Sequence, residues 1–289
     1  MKIGVIGTGL MGQPMASRLI QGGHTVLAYN RTQSKAESLV AGGARLCSRP
    51  ADLIEEADAV VTMLSDADTT ARLLGIDEAD GPSFARTTVI QMATIAPSES
   101  KQLMSAVARR GGDYFESPVL GSLPEAKSGN LILMVGATEE QFVKWRDILA
   151  LFGPTPRLIG PVGAGACVKL AMNQLIAALT IAFSESLALV QKEQVDVDAF
   201  MAITRASALY APTYDKKLAR MLERDFANPN FPTKHLLKDV RLFAKAAAEA
   251  GISTDTLHAF ERLLDQAAQQ GFAGADYAAV YSSVNPPTE

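Results

Sequence analysis

Lys169 and Asn173 stand four residues apart in "GAGACVKLAMNQLIAAL", a stretch that begins at Gly163 and is otherwise apolar. On a helix that spacing puts both side chains on one face. An ammonium near a helix N-terminus and among apolar groups is disfavoured twice, by the positive helix end and by loss of water. Both effects pull a lysine toward the range where it gives and takes a proton near neutral pH. The competing reading is a snorkelling lysine whose stem covers apolar surface, with Asn173 as a satisfied buried amide. The glycines ahead of the pair, and its place where the architecture changes, tilt the balance toward a site.

Gly7, Gly9 and Gly12 form a G-x-G-x-x-G pattern directly after the apolar run "KIGVI" and ahead of a helical pattern. In that setting the glycines permit a tight turn, a close approach to a pyrophosphate and packing of helix on strand. The helix N-terminus then offers unpaired N–H groups to the phosphates. At the end of the next strand pattern stands Tyr29-Asn30-Arg31-Thr32. No acid is present there to hold a ribose diol or to repel a 2′-phosphate. Arg31 can meet a phosphate with a bidentate guanidinium, and Asn30 and Thr32 can add hydrogen bonds. The pattern favours NADP(H) over NAD(H); the alternative is that Arg31 is a solvated loop residue.

The elements that must position these residues alternate strand and helix up to about residue 160. "KIGVIG", "HTVLAYN", "DAVVTML", "TTVIQM", "DYFESPV", "LILMVG" and "PRLIG" read as strands. Their fully apolar runs imply a mostly parallel sheet covered on both faces. After Gly165 only helical patterns remain: "CVKLAMNQLIAALTIAFSESLALVQKEQ", "DVDAFMAITRAS", "PTYDKKLARML", "TKHLLKDVRLFAKAAAEAG" and "STDTLHAFERLLDQAAQQG". The last two each read as starting at a Ser/Thr cap and ending at glycine. The expected fold is α/β: a Rossmann-type doubly wound sheet over residues 1–162, then an all-α domain over 163–289. "NPPTE" reads as a loose tail.

Of the 289 residues, 48% are hydrophobic and 20% charged, with net charge −4. This acidic balance gives no electrostatic reason to expect nucleic acid or a membrane surface as partner. The longest unbroken apolar run, "LIAALTIAF" from Leu175, is too short to span a bilayer. Cys47 and Cys167 are far apart and in no metal-ligand spacing, so neither a disulfide nor a metal site is expected. With no export-signal pattern at the start, a cytoplasmic protein is expected.

Four segments, in order, resemble the motifs of the β-hydroxyacid dehydrogenase family, which includes 3-hydroxyisobutyrate dehydrogenase, 6-phosphogluconate dehydrogenase and the glyoxylate/succinic semialdehyde reductases. They are "GVIGTGLMGQPMASRL", "ESPVLGSLPEAKSGNLILMVGA", "GAGACVKLAMNQ" and "KHLLKDVRLFAKAA". The resemblance implies that Lys169 is the general acid/base and that Asn173 orients it or the substrate. It assigns Gly7, Gly9, Leu10, Met11, Gly12, Asn30, Arg31, Thr32, Met63, Leu64, Thr94 and Lys238 to the cofactor. It assigns the Gly121–Ser122 backbone to the substrate carboxylate, and Phe231 and Asp239 to the far wall of the substrate site. Lys234, Lys238, Arg241 and Lys245 form one helical stripe, of which only Lys238 is singled out by the motif; the rest reads as a solvated face.

The sequence departs from the resemblance at Glu116-Ser117-Pro118-Val119-Leu120-Gly121-Ser122. The family pattern is D-A-P-V-S-G-G, so Leu120 replaces a hydroxyl and Ser122 supplies one two positions later. Either the hydroxyl has moved or the pocket holds a less polar substrate. The expected activity is NADPH-dependent reduction of a small aldehyde or keto acid, such as glyoxylate or succinic semialdehyde. The same parts could oxidise a 3-hydroxyacid with NAD(P), and a non-catalytic NADP-binding scaffold is the reading of another class. The retained Lys169 argues against an imine reductase. The long apolar helix predicts a homodimer or homotetramer.

Overall fold

A computed structural model describes residues 1–287. The first compact unit, Met1–Lys169, is an α/β layer structure. It runs β1 (Lys2–Ile6), α1 (Gly12–Gln21), β2 (Thr25–Tyr29), α2 (Glu37–Ala41), β3 (Arg45–Leu46), α3 (Pro50–Glu56), β4 (Ala59–Thr62), α4 (Ala67–Leu74) and β5 (Thr88–Gln91). It continues through α5 (Pro97–Arg109), β6 (Asp113–Glu116), β7 (Val119–Leu120), α6 (Leu123–Ser128), β8 (Ile132–Gly136), α7 (Glu139–Ala150) and β9 (Arg157–Gly160).

The sheet order is β3-β2-β1-β4-β5-β6-β8-β7, with β9 on β8. The first six strands are parallel, and β8 runs against both β6 and β7. This is the doubly wound order read from the sequence, extended by an antiparallel edge. Strands β4 and β5 are buried along their whole length, as their unbroken apolar runs require. The core has two apolar layers, one holding Met15, Leu19, Phe115, Trp145 and Phe152, the other Leu53, Phe84, Val107 and Tyr114.

The helix α8 (Ala164–Lys192) leads out of this unit. The second unit, from Leu170 on, holds α9 (Val197–Ala206), α10 (Pro212–Glu223), α11 (Thr233–Glu249), α12 (Asp255–Ala267) and α13 (Val280–Val284). No strand joins it among the described residues. Leu236, Leu237, Val240, Leu264 and Val280 form one core cluster with Ala177 and Ile181 of α8.

Three expectations are corrected here. By length and composition α8 is apolar enough to cross a membrane, although its longest unbroken apolar run is short. Isolated polar residues do not interrupt a helix, so run length understated it; part of α8 is buried inside the chain instead. Second, neither late helix is capped by a Ser/Thr side chain. Pro232 holds the cap position of α11, and the Thr233 hydroxyl donates to the carbonyls of Ala275 and Asp276 at 3.1 and 3.2 Å. Thr254 does precede α12, but its hydroxyl meets the His258 ring at 3.1 Å. The glycine end holds for α11, where Gly251 has φ +72°, while α12 ends at Ala267 with Ala268 at its cap and Gly271, at φ +95°, lies inside the segment that follows. Third, the tail is anchored where it begins: Asn285 is buried, donates to the Tyr281 hydroxyl at 2.9 Å and accepts from Arg224 at 2.7 Å. Residues 288–289 of that segment lie outside the described residues.

Candidate active site

The register of the parallel strands aligns Tyr29, Ile6, Thr62, Gln91 and Glu116 in one row. The loops that follow these residues therefore leave the sheet at one edge, the carboxyl edge, where open α/β sheets hold ligands. Those loops carry Gly7–Gly12, Asn30–Thr32, Met63–Leu64 and Thr94. Every residue that the resemblance assigned to the cofactor within the first unit is thus brought to one place.

Gly7 adopts φ +98°, a region L side chains avoid, and lets β1 turn sharply into the loop. A Cβ there would also strike the Met63 carbonyl and the Leu64 side chain. A Cβ on Gly12 would collide with the Gly7 carbonyl, so the start of α1 closes on the end of β1. Gly9 differs: a Cβ there would meet nothing within 4 Å. The loop leaves open space at the position where a pyrophosphate needs backbone access. The first turn of α1 has neither an acid nor a side-chain cap; the Gln13 N–H donates to the Gly9 carbonyl at 3.1 Å and Pro14 has none, which leaves the Gly12 N–H for an anion. Leu10 is exposed and Met11 half-buried at the helix entry.

Asn30 does structural work in this loop. Its side-chain oxygen accepts from the Thr8 N–H at 3.3 Å, and its amide donates to the Thr32 carbonyl at 2.8 Å. It ties the glycine loop to the end of β2 and shapes the turn that presents Arg31. Arg31 and Thr32 are exposed, and Arg31 makes no hydrogen bond or ion pair among the described residues. These residues fit a dinucleotide whose adenosine ribose lies beyond β2.

The substrate motif is built differently from its expected form. Gly121 has φ +138° and Ser122 holds the cap position of α6. The Ser122 N–H and hydroxyl both donate to Glu125, at 2.8 and 2.7 Å. That hydroxyl takes part in the capping box of α6. Leu120 pairs with the exposed Ile132 across β7 and β8, which makes this edge apolar.

Lys169 is buried, 8% exposed, in the second turn of α8, and Asn173 follows one turn later on the same helix face. Within the second unit, the Asn173 amide donates to Asp239 at 2.6 Å. The Lys238 ammonium contacts the other Asp239 oxygen at 3.0 Å. Phe231, just ahead of α11, packs edge-on against His235, one turn before this pair, and against Tyr277. The structure thus gathers Asn173, Asp239, Lys238 and the His235–Phe231 face in one cluster. The cationic stripe is only partly a solvated face, because Arg241 pairs with Glu261 and Asp265 of α12 at 2.6 and 3.4 Å.

Reasoning from sequence missed Glu116, which ends β6. Its Oε1 accepts from the N–H groups of Gly163 and Ala166, at 2.8 and 2.9 Å, in the opening of α8. Nothing in the sequence pairs residues so distant; an acid closing an otherwise buried strand was the available signal.

The chain matches two family models, described as the NAD-binding domain of 6-phosphogluconate dehydrogenase over residues 2–165 and the NAD-binding domain of NADP-dependent 3-hydroxyisobutyrate dehydrogenase over 163–284. It is 30% identical to glyoxylate/succinic semialdehyde reductase 1 of Arabidopsis thaliana, with 98% of each chain covered. It is 29% identical to the mitochondrial 3-hydroxyisobutyrate dehydrogenase of Drosophila melanogaster, covering 96% of this chain and 88% of that one. Among solved structures, 3-hydroxyisobutyrate dehydrogenase of Mycobacterium tuberculosis with L-serine has TM-score 0.88 at 23% identity, with 98% of each chain covered, which supports the fold.

Proposed function

The chain belongs to the family of 3-hydroxyisobutyrate and 6-phosphogluconate dehydrogenases, NAD(P)-dependent oxidoreductases of small hydroxy acids, and within it we propose an NADPH-dependent reductase of small aldehyde or keto acids. The single observation that carries the reading is a buried ammonium, Lys169, held on a helix whose next turn presents a buried amide. A buried lysine is uncommon and marks either a paired structural group, as Lys217 with Asp276, or a chemical one, and the amide one turn on favours the second.

The dinucleotide, when bound, supplies the hydride to the carbonyl carbon. Lys169 gives its proton to the carbonyl oxygen as that oxygen gains charge, so aldehyde plus hydride plus proton becomes alcohol. Positioned proton transfer of this kind is worth about 10²–10⁴ in rate. Asn173, fixed by Asp239, orients the reacting oxygen. In the first unit the Gly121 backbone N–H receives the substrate carboxylate, the Ser122 N–H being held by Glu125 at 2.8 Å; Phe231 and Asp239 are the substrate-contact candidates of the second unit. Thr94 borders the nicotinamide; Lys238, beside Asp239, is the second unit's candidate for a cofactor contact. Arg31 selects the 2′-phosphate.

The apolar pair Leu120–Ile132, with Ser122 committed to Glu125, favours substrates that carry no hydroxyl beside the reacting carbon. Glyoxylate and succinic semialdehyde meet that condition. The exposed apolar residues of the helical unit lead us to a homodimer or homotetramer. The test is a screen of NADPH oxidation over glyoxylate, succinic semialdehyde, methylmalonate semialdehyde and a cyclic imine. Turnover of the first two supports the reading. Turnover of the imine alone, or of none with cofactor still bound, refutes it.

A further inference from the structure

We propose that Glu116 is the positioning residue for Lys169: its buried carboxyl clamps the opening of α8 and so fixes where the lysine, one turn beyond, projects. The inference rests on the reading of Lys169 as the general acid. Both residues belong to the first compact unit.

Four observations carry it. Glu116 is 1% exposed, and its Oε1 takes two N–H groups of the α8 opening, at 2.8 Å from Gly163 and 2.9 Å from Ala166. First-turn N–H groups have no partner within their own helix, so this carboxyl supplies what the helix lacks. Next, room for the clamp is made by two glycines. A Cβ on Gly136 would come within 2.5 Å of Glu116 Oε1, and one on Gly165 would come within 3.2 Å of the same oxygen. Gly136 is the β8 register partner of Glu116, and Gly165 lies in the first turn of α8. The carboxyl therefore lies between sheet and helix with no slack.

Third, the clamp is expensive. Burial pushes the Glu116 carboxyl up, while Ser100 and the α8 N–H groups pull it back. Its Oε2 has no hydrogen-bond partner among the described residues. A join that only held helix to sheet could be apolar and avoid leaving a buried polar oxygen unpaired. Fourth, the distance is short. Ala166 and Lys169 are three residues apart on α8, about 4.5 Å along its axis. A shift in the opening turn carries directly into the lysine.

The test is a double-mutant cycle read by single-turnover NADPH oxidation with glyoxylate and succinic semialdehyde. Glu116→Asp is one methylene short of the α8 N–H groups. It is expected to slow hydride transfer about tenfold to a hundredfold, the scale of a 1 Å misplacement. NADPH affinity, followed by fluorescence, is expected to stay at the parent value. In a Lys169→Ala background the same change is expected to cost nothing further, because there is no lysine left to position. An equal loss in that background, or no loss in the parent protein, would overturn the proposal. Glu116→Gln, whose amide oxygen still accepts from the α8 N–H groups, is expected to keep the parent rate, and a loss as large as that of Glu116→Asp would overturn the proposal; should Glu116→Asp fail to fold, Glu116→Met, which fills the space and accepts no hydrogen bond, runs the same cycle. Full turnover in Lys169→Ala alone would remove the premise and the proposal with it.

Discussion

On the proposed reading, Arg31 selects the cofactor through one charged contact. It is exposed, stands where dinucleotide sites usually carry an acid, and is presented by a turn that Asn30 braces. Hydrogen bonds to a charged group contribute about 1.5–3 kcal/mol, and each 1.4 kcal/mol is about tenfold in affinity. Arg31→Ala is therefore expected to raise the Kd of NADPH at least about tenfold and to leave that of NADH nearly unchanged, as titrated by fluorescence. Equal losses with both cofactors would show that Arg31 only shapes the loop. This part of the site was legible from sequence because its logic is local: glycines, turn and cation lie within 31 residues. The Asn30 bridge to Thr8 was not, since a side chain that can bind a ligand can equally bind its neighbouring backbone.

At the scale of elements, the helical unit depends on a buried ion pair between α10 and the segment before α13. The Lys217 ammonium donates to both Asp276 oxygens, at 2.7 and 2.9 Å, and lies 4.1 Å from the Tyr277 ring centre. Burial pushes Lys217 down, and the Asp276 bonds oppose this. Asp276 is wholly buried and also accepts from the Ala278 N–H at 3.0 Å. Lys217→Met would leave that carboxylate without its cation, a loss expected to cost about 3–5 kcal/mol. Urea unfolding checks this, and a loss below about 1 kcal/mol would contradict it. The pair was invisible in the sequence, where 59 residues separate its members. The strands of the doubly wound sheet were legible because double burial leaves unbroken apolar runs. The two-residue strand β7 was hidden inside "DYFESPV", which turns at Ser117–Pro118. The cap of α11 was misread because Pro232 holds the cap position and the Thr233 hydroxyl donates to the Ala275 and Asp276 carbonyls instead of accepting from its helix.

For the whole molecule, the helical unit exposes Ile203 and Leu209, 72% and 79% accessible, together with Leu175 and Leu189 of α8. That much apolar surface on one unit is expected to be covered by a second copy. Light scattering should report a dimer or tetramer, and the Tm should rise with protein concentration. A monomer with a concentration-independent Tm would contradict this. Alternation of strand and helix, followed by helix alone, made the two-part architecture readable from sequence. What the exposed apolar residues of α8 meet was not, since a helix apolar enough for a membrane looks the same when it packs on protein. The account as a whole turns on Lys169, and the most direct test is single-turnover NADPH oxidation by Lys169→Ala. The predicted result is a rate reduced by about 10²–10⁴ with NADPH still bound; an unchanged rate would contradict it.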